Sequence, residues 1–150
     1  MGYKYKDDYT LAMDRNELDI PYIHKYLCED SYWAKGIDYD TVEKSIRNSL
    51  CVGLFYKRSQ IGFARVITDY ATFGYLADVF VDERHRGKGL SKWMLTEIMA
   101  LPDFQRLRRI MLATDDAHGL YKKFGFEVYD NNDKKLMGIR RKAEEMYNRG

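Results

Sequence analysis

Apolar and polar positions alternate with two different periods along this chain, and each change of period marks the end of one element and the start of another. Tyr9 to Asp14 reads as a short strand. Asp19 then caps a helix with Pro21 in its first turn and Tyr22, Ile23, Tyr26 and Leu27 on its inner side, ending near Glu29. A loop with two large aromatics, Ser31 to Ile37, separates it from a second helix. The capping-box spacing Asp40-x-x-Glu43 starts that helix, and Val42, Ile46 and Leu50 keep it in register.

Cys51 to Tyr56 and Gln60 to Ile67 are β-rich runs joined by Lys57-Arg58-Ser59, which predicts an antiparallel hairpin. Tyr75 to Val81 follows as a third strand, apolar enough to be buried on both faces. Leu90, Met94, Ile98 and Leu101 mark one face of a helix that Pro102 stops. Ile110 to Ala113 is a short buried strand. Asp115 or Asp116 caps a brief helix from Ala117 to Phe124, with Gly125 as its stop. Phe126 to Tyr129 and Leu136 to Arg140 read as two last strands around the polar turn 130–133, and the charged tail from Arg141 reads as a helix.

This order predicts an α+β fold: a mixed, mostly antiparallel sheet flanked by helices, with one parallel βαβ crossover at its centre. In that crossover the strand 75–81 feeds the run Val79-Phe-Val-Asp-Glu-Arg-His-Arg-Gly-Lys-Gly-Leu-Ser91, a basic, glycine-rich turn into a helix. Such a turn lies at the carboxyl end of its strand, where sheets of this kind bind ligands. Glycines at 87 and 89 let backbone N–H groups converge on an anion, and the helix start adds its own free amides. Arg84-x-x-Gly87-x-Gly89 and Arg86-x-x-Gly89-x-Ser91 both fit an Arg-x-x-Gly-x-small spacing. The second puts Arg86 at the mouth and Ser91 in the first helical turn, and is preferred. An ordinary strand-to-helix turn is the competing reading. A dinucleotide fingerprint or a Walker loop is excluded, because neither Gly-x-Gly-x-x-Gly nor Gly-Lys-Ser/Thr is present.

Composition narrows the partners. With 150 residues, 45% hydrophobic and 15% aromatic, the chain is expected to form one domain over 1–150 with a bulky core. Its 25 basic and 23 acidic residues leave a net charge of +2, so neither a nucleic-acid nor a membrane partner is expected. Cys28 and Cys51 lack metal-ligand spacing and His24, His85 and His118 are scattered, so no metal is expected. No apolar run approaches the ~20 residues of a membrane span, and a cytoplasmic location is expected.

At this point the residues resemble the GCN5-related N-acetyltransferase (GNAT) family. The resemblance rests on Arg86-x-x-Gly89-x-Ser91 behind the apolar strand Ala77 to Val81, and on Ala117-x-x-Leu120-Tyr121-x-x-x-Gly125-Phe126 downstream. Ser91 stands where members usually have Gly or Ala, and Thr114 where many have Asn; neither change removes a backbone donor. The resemblance implies the acyl-CoA N-acyltransferase fold and acetyl-CoA as cofactor. Backbone near Phe80 and Val81 would take the pantetheine arm, and Arg86, Gly87, Lys88, Gly89, Leu90 and Ser91 would hold the pyrophosphate. It further implies acetyl transfer to a primary amine of a small molecule by direct attack in a ternary complex, by a monomer or homodimer. The rival reading is a noncatalytic acetyl-CoA-binding module.

The transfer needs a neutral amine, a stabilised oxyanion and a proton for the leaving thiolate. The resemblance puts Tyr121 beside the sulfur as the acid, although periodicity alone would have it pack on the sheet. Asp78 is a lone charge in an apolar strand and is therefore either a hydrogen-bonded structural residue or the general base. Tyr32 and Trp33 border the acceptor pocket or close the core. Arg65 holds an anionic group of the acceptor or pairs with Asp69 or Asp78. His118 is a proton shuttle or a solvent-facing cap, and Arg106 to Arg109 touch adenosine phosphates or form a solvated turn.

Overall fold

In the computed structural model, which describes residues 3–129 and 136–147, the strand-like runs form a six-stranded sheet whose spatial order follows the sequence. The antiparallel neighbours are β1 (Lys4–Lys6), β2 (Tyr9–Ala12), β3 (Leu50–Tyr56), β4 (Ser59–Thr68) and β5 (Phe73–Val81). β6 (Arg109–Leu112) lies parallel to β5. The helices are α1 (Ile20–Lys25, running on as a π turn to Asp30), α2 (Tyr39–Arg47), α3 (Leu90–Met99), α4 (His118–Lys122) and α5 (Ala143–Tyr147). The mixed α+β architecture follows the expectation, with the parallel pair at one edge of the described sheet.

Side-chain alternation splits the interior into two cores. Val52, Leu54, Ala64 and Val66 face α3, packing on Leu90, Met94, Leu95 and Ile98. Cys51, Phe63 and Phe80 point the other way, onto Ile23 and Leu27 of the α1 segment and Val42 and Ile46 of α2. Leu76 and Val81 of β5 share the α3-side core although an odd number of positions separates them, which a straight strand cannot achieve. Asp78 resolves this. Its φ of +54° places a bulge between the pairs Arg65↔Ala77 and Phe63↔Phe80, and the extra residue reverses which way the rest of β5 faces.

Five local expectations are corrected. The cap of α2 is Asp38, whose carboxylate accepts from the Thr41 amide at 3.1 Å and hydroxyl at 2.7 Å; this pair outcompetes the Asp40-x-x-Glu43 box two residues on. Leu50 leaves that helix and opens β3. Strand β1 went unforeseen because three residues carry too little pattern; it is held by a turn with Asp7 at φ +54°. The start of α4 is set by Thr114, whose hydroxyl accepts from the amides of Asp116 and Ala117 at 3.4 and 3.1 Å, and neither Asp115 nor Asp116 caps it. Finally, Phe126 to Tyr129 and Leu136 to Arg140 are not strands. Gly125 at φ +88° turns the chain, the Phe126 amide donates back to the Tyr121 carbonyl at 3.3 Å, and the run that follows stands off from β6. The turn expected at 130–133 lies outside the described residues.

Strand β5 is also less enclosed than its composition suggests, since Tyr75, Ala77, Asp78 and Val79 are only half-buried. The reason is topological. β6 pairs with it only from Phe73↔Arg109 to Leu76↔Leu112, so the last five residues of β5 line an open splay.

Candidate active site

The glycine loop begins where β5 ends. Asp82 ties the exit to the sheet, its amide donating to the Ile61 carbonyl at 2.7 Å. Its carboxylate caps a single 3-10 turn, accepting from the Arg84 amide at 3.0 Å. The Arg84 guanidinium also reaches this carboxylate, at 3.1 and 3.2 Å, and holds its pKa below the usual carboxylate value. Beyond the turn, Gly87 and Gly89 take φ of +79° and +74°, which L-residues with a β-carbon adopt at a cost.

That geometry leaves the loop's donors bare. Among the described residues, no backbone amide from Gly87 to Lys92 finds an acceptor; the first that does is Trp93, donating to the Gly89 carbonyl at 3.0 Å. Residues 86–89 are exposed while Leu90 is buried in the core, so the helix start is anchored below and open above. Unpaired amides around two left-handed glycines at the start of a ten-residue helix form an anion-binding concavity. The residues present thus fit a pyrophosphate, on the loop that sequence spacing singled out.

Side chains brace this cradle from outside. Arg86 donates through Nε to the Val81 carbonyl at 3.0 Å and through Nη2 to the Tyr26 hydroxyl at 3.1 Å, so it fastens the loop to α1's extension. The Tyr26 ring stacks on Phe80 with centroids 3.8 Å apart and planes 4° apart. Lys88 Nζ turns back onto the Tyr9 hydroxyl at 3.3 Å, which also meets His85 Nδ1 at 2.9 Å. The sequence marks Tyr26 only as an inner-side helix residue and Tyr9 only as the start of a strand. What reveals them is their hydroxyl partners, which lie 60 and 76 or more positions away.

Across the splay, Arg65 and Asp78 form a half-buried ion pair, with Nε to Oδ2 at 2.8 Å and side chains 14% and 10% exposed. Arg65 Nη1 also donates to the Ser49 hydroxyl at 3.1 Å, and Trp33 Nε1 donates to the other Asp78 oxygen at 2.9 Å. Ser49 was not singled out; its signal is a polar residue at the threshold of an apolar strand. Tyr32 stands edge-on to Trp33 at 5.1 Å, and its hydroxyl accepts from the Asp115 amide at 3.2 Å. The aromatic loop is therefore fastened to both β5 and the turn after β6.

Tyr121 lies on α4, 9% exposed and edge-on to Phe126 at 5.9 Å. Burial pushes its phenol up to about 12, with the neighbouring Tyr32 and Asp116 adding to the effect. Beside it a cavity of about 570 Å³ runs between β6 and the 126–129 segment, lined by Leu107, Ile110, Leu112, Phe124 and Val128 among others. Its lining includes no residue of β5 and neither Tyr32 nor Trp33. His118 is exposed at the start of α4. The basic run 106–109 sits where β6 begins, opposite Phe73, eight residues or ~26 Å of strand from the glycine loop, and is a solvated turn.

The Acetyltransferase (GNAT) family pattern matches residues 13–126. A crystal structure from Xanthomonas campestris pv. campestris, of a protein assigned to the GNAT family, is 45% identical with a TM-score of 0.87, covering 95% of this chain and 97% of that one. The spermine/spermidine N(1)-acetyltransferase of Bacillus subtilis is 34% identical over 101 residues, 57% of this chain and 66% of its own. A GNAT family acetyltransferase from Elizabethkingia anophelis, solved with acetyl-CoA bound, shares the fold at 16% identity, with a TM-score of 0.62 and 92% of each chain covered.

Proposed function

Because this chain belongs to the GNAT acetyltransferase family, we propose that it uses acetyl-CoA to acetylate the primary amine of a small molecule, by direct attack in a ternary complex. The observation that carries the reading is the row of amides from Gly87 to Lys92 that have no acceptor among the described residues, set beyond the end of the strand to which Trp33 of the aromatic loop is fastened at Asp78. The donor, when bound, supplies a thioester carbonyl to an incoming amine.

The chain's own contributions follow from position. The amides of 87–92 neutralise the pyrophosphate without using a side-chain charge, and the Arg86 bonds keep the loop from closing on itself. Phe80 and Val81 lie beyond the last β5–β6 pair, where strand backbone can meet the pantetheine arm, with the Val81 carbonyl already held by Arg86. Tyr121 holds its proton firmly at neutral pH and gives it to the departing sulfur. The burial that raises the phenol raises a thiolate formed beside it as well, so the two proton affinities stay close enough for transfer. Tyr32 and Trp33 wall the acceptor side. Arg65 donates through Nε to Asp78 and through Nη1 to the Ser49 hydroxyl, which favours its pairing role over holding an anion on the acceptor. The amine-acetylating B. subtilis relative supports an amine acceptor.

The test is thiol release from acetyl-CoA across polyamines, aminoglycosides, amino acids, arylamines and N-terminal peptides, wild type against Tyr121→Phe. Amine-dependent turnover that collapses in the variant is the expected result. Tight acetyl-CoA binding with no turnover on any amine would replace this reading by the noncatalytic binding module.

A further inference from the structure

Given acetyl transfer in this cleft, the two aromatic side chains of the 31–37 loop show an arrangement that a core does not need. Tyr32 is 54% exposed and Trp33 37% exposed, yet the polar end of each is fixed, the Tyr32 hydroxyl by the Asp115 amide and the Trp33 indole N–H by Asp78. Rings held at their polar tips, set edge-on to one another and left part-exposed, form a rigid wall suited to the carbon chain or cationic group of a ligand. The support behind Trp33 is a chain of bonds. Ser49 at the mouth of β3 and Arg65 on β4 orient Asp78 on β5, and Asp78 accepts a hydrogen bond from the indole N–H.

Asp78 is held in an unfavourable backbone state, φ +54°, which persists only where the surroundings fix it. The Arg65 contact contributes to that fixing; one carboxylate oxygen faces a guanidinium, the other an indole N–H, and the side chain is only 10% exposed. A general base would need an oxygen open to the attacking amine or its water.

We infer that Asp78 is a positioning residue for the acceptor, an Arg65-anchored strut that fixes the Trp33 ring as the acceptor wall, and is not the proton acceptor of the reaction. The strut acts on where the amine sits. It therefore governs the amine KM and leaves the chemical step and acetyl-CoA binding alone.

The experiment compares Trp33→Phe, Asp78→Asn and the double variant, using the best amine of the panel. Each single change is expected to raise the amine KM about tenfold, with kcat and the acetyl-CoA Kd within about threefold of wild type. The double is expected to be no worse than the worse single, because both cut the same connection. In a Trp93→Phe background, where Trp33 is the remaining tryptophan, its emission should shift to the red when Asp78→Asn is added. Should Asp78→Asn fail to fold with Arg65 left uncompensated, Trp33→Phe carries the same KM prediction alone. A hundredfold loss of kcat in Asp78→Asn with the acidic limb of the pH profile removed, and Trp33→Phe near wild type, would make Asp78 the base and overturn the inference. So would additive effects in the double, or an emission unmoved by Asp78→Asn while wild type turns over amine. Absence of turnover in wild type would instead bring down the acetyl-transfer reading on which this one rests.

Discussion

One turn beyond β5 the chain presents bare backbone, the six amides of 87–92 having no acceptor among the described residues, whereas on β5 itself Asp78 is engaged on both oxygens by side chains from two other elements. The first region waits for an anion and is specified almost wholly by two glycines and a helix start. The second is already satisfied by its own chain and is specified by residues 33, 49, 65 and 78 together. A site for a common cofactor can be written in one short run of sequence, while the wall inferred above for the acceptor is assembled from distant positions.

The largest effect should come from Tyr121, the acid proposed for the transfer. Tyr121→Phe is expected to lower kcat by about a hundredfold or more, the ordinary yield of a positioned acid, with the acetyl-CoA Kd unchanged by titration calorimetry; a small change would move the acid elsewhere. Next is the cradle itself. A β-carbon at Gly89 meets no atom within 4 Å, so Gly89→Ala strains only the backbone at φ +74°. That strain of ~1–2 kcal/mol should weaken acetyl-CoA binding by about tenfold, leaving the amine KM alone. If the amine KM rose equally, the division between the regions would fail.

A smaller effect is expected from the cradle's outer brace. Arg86→Ala removes the bonds to Val81 and Tyr26 and should cost about fivefold in acetyl-CoA affinity, roughly 1 kcal/mol for bonds made at the surface. The smallest concerns pH. Tyr121 is raised from 10.0 to about 12, so its acid form persists through the alkaline range, and kcat at saturating neutral amine should change by less than about twofold between roughly pH 8.5 and 10. The same shift has a stability side: the raised phenol supports the fold fully below its unfolded value near 10 and loses that support as pH climbs toward 12. Alkaline denaturation should accordingly begin later in Tyr121→Phe, which has no proton to lose.

This division explains which features were legible in the sequence. Gly87, Gly89 and the preceding apolar strand announce the cradle because backbone chemistry needs only local conformation. The hairpins and the crossover were legible for the same reason, being consecutive in the chain. The role of Asp78 was not, since a lone carboxylate in an apolar strand reads equally as partner-seeking or reactive until Arg65 and Trp33 are seen on its two sides. Nor was the bulge, because positive φ at an aspartate leaves no trace in hydrophobic alternation. The cap of α2 was misassigned by two residues since Asp38 and Asp40 are chemically alike, and only the Thr41 hydroxyl distinguishes them. The runs 126–129 and 136–140 have strand-like composition, but pairing is a property of neighbours, and Gly125 turns the first of them away from β6.

The bonds running from Ser49 through Arg65 and Asp78 to Trp33 also set a rule for how this protein can change its taste in substrates. A loop transplanted at 31–37 would arrive without its footing unless positions 49, 65 and 78 travelled with it, while the glycine turn could be inherited untouched. On the inferred role of this strut, evolution and the engineer face the same arithmetic: new acceptors would be reached by moving four scattered residues as one heritable unit, and libraries that randomise the loop alone would mostly sample walls that nothing holds upright.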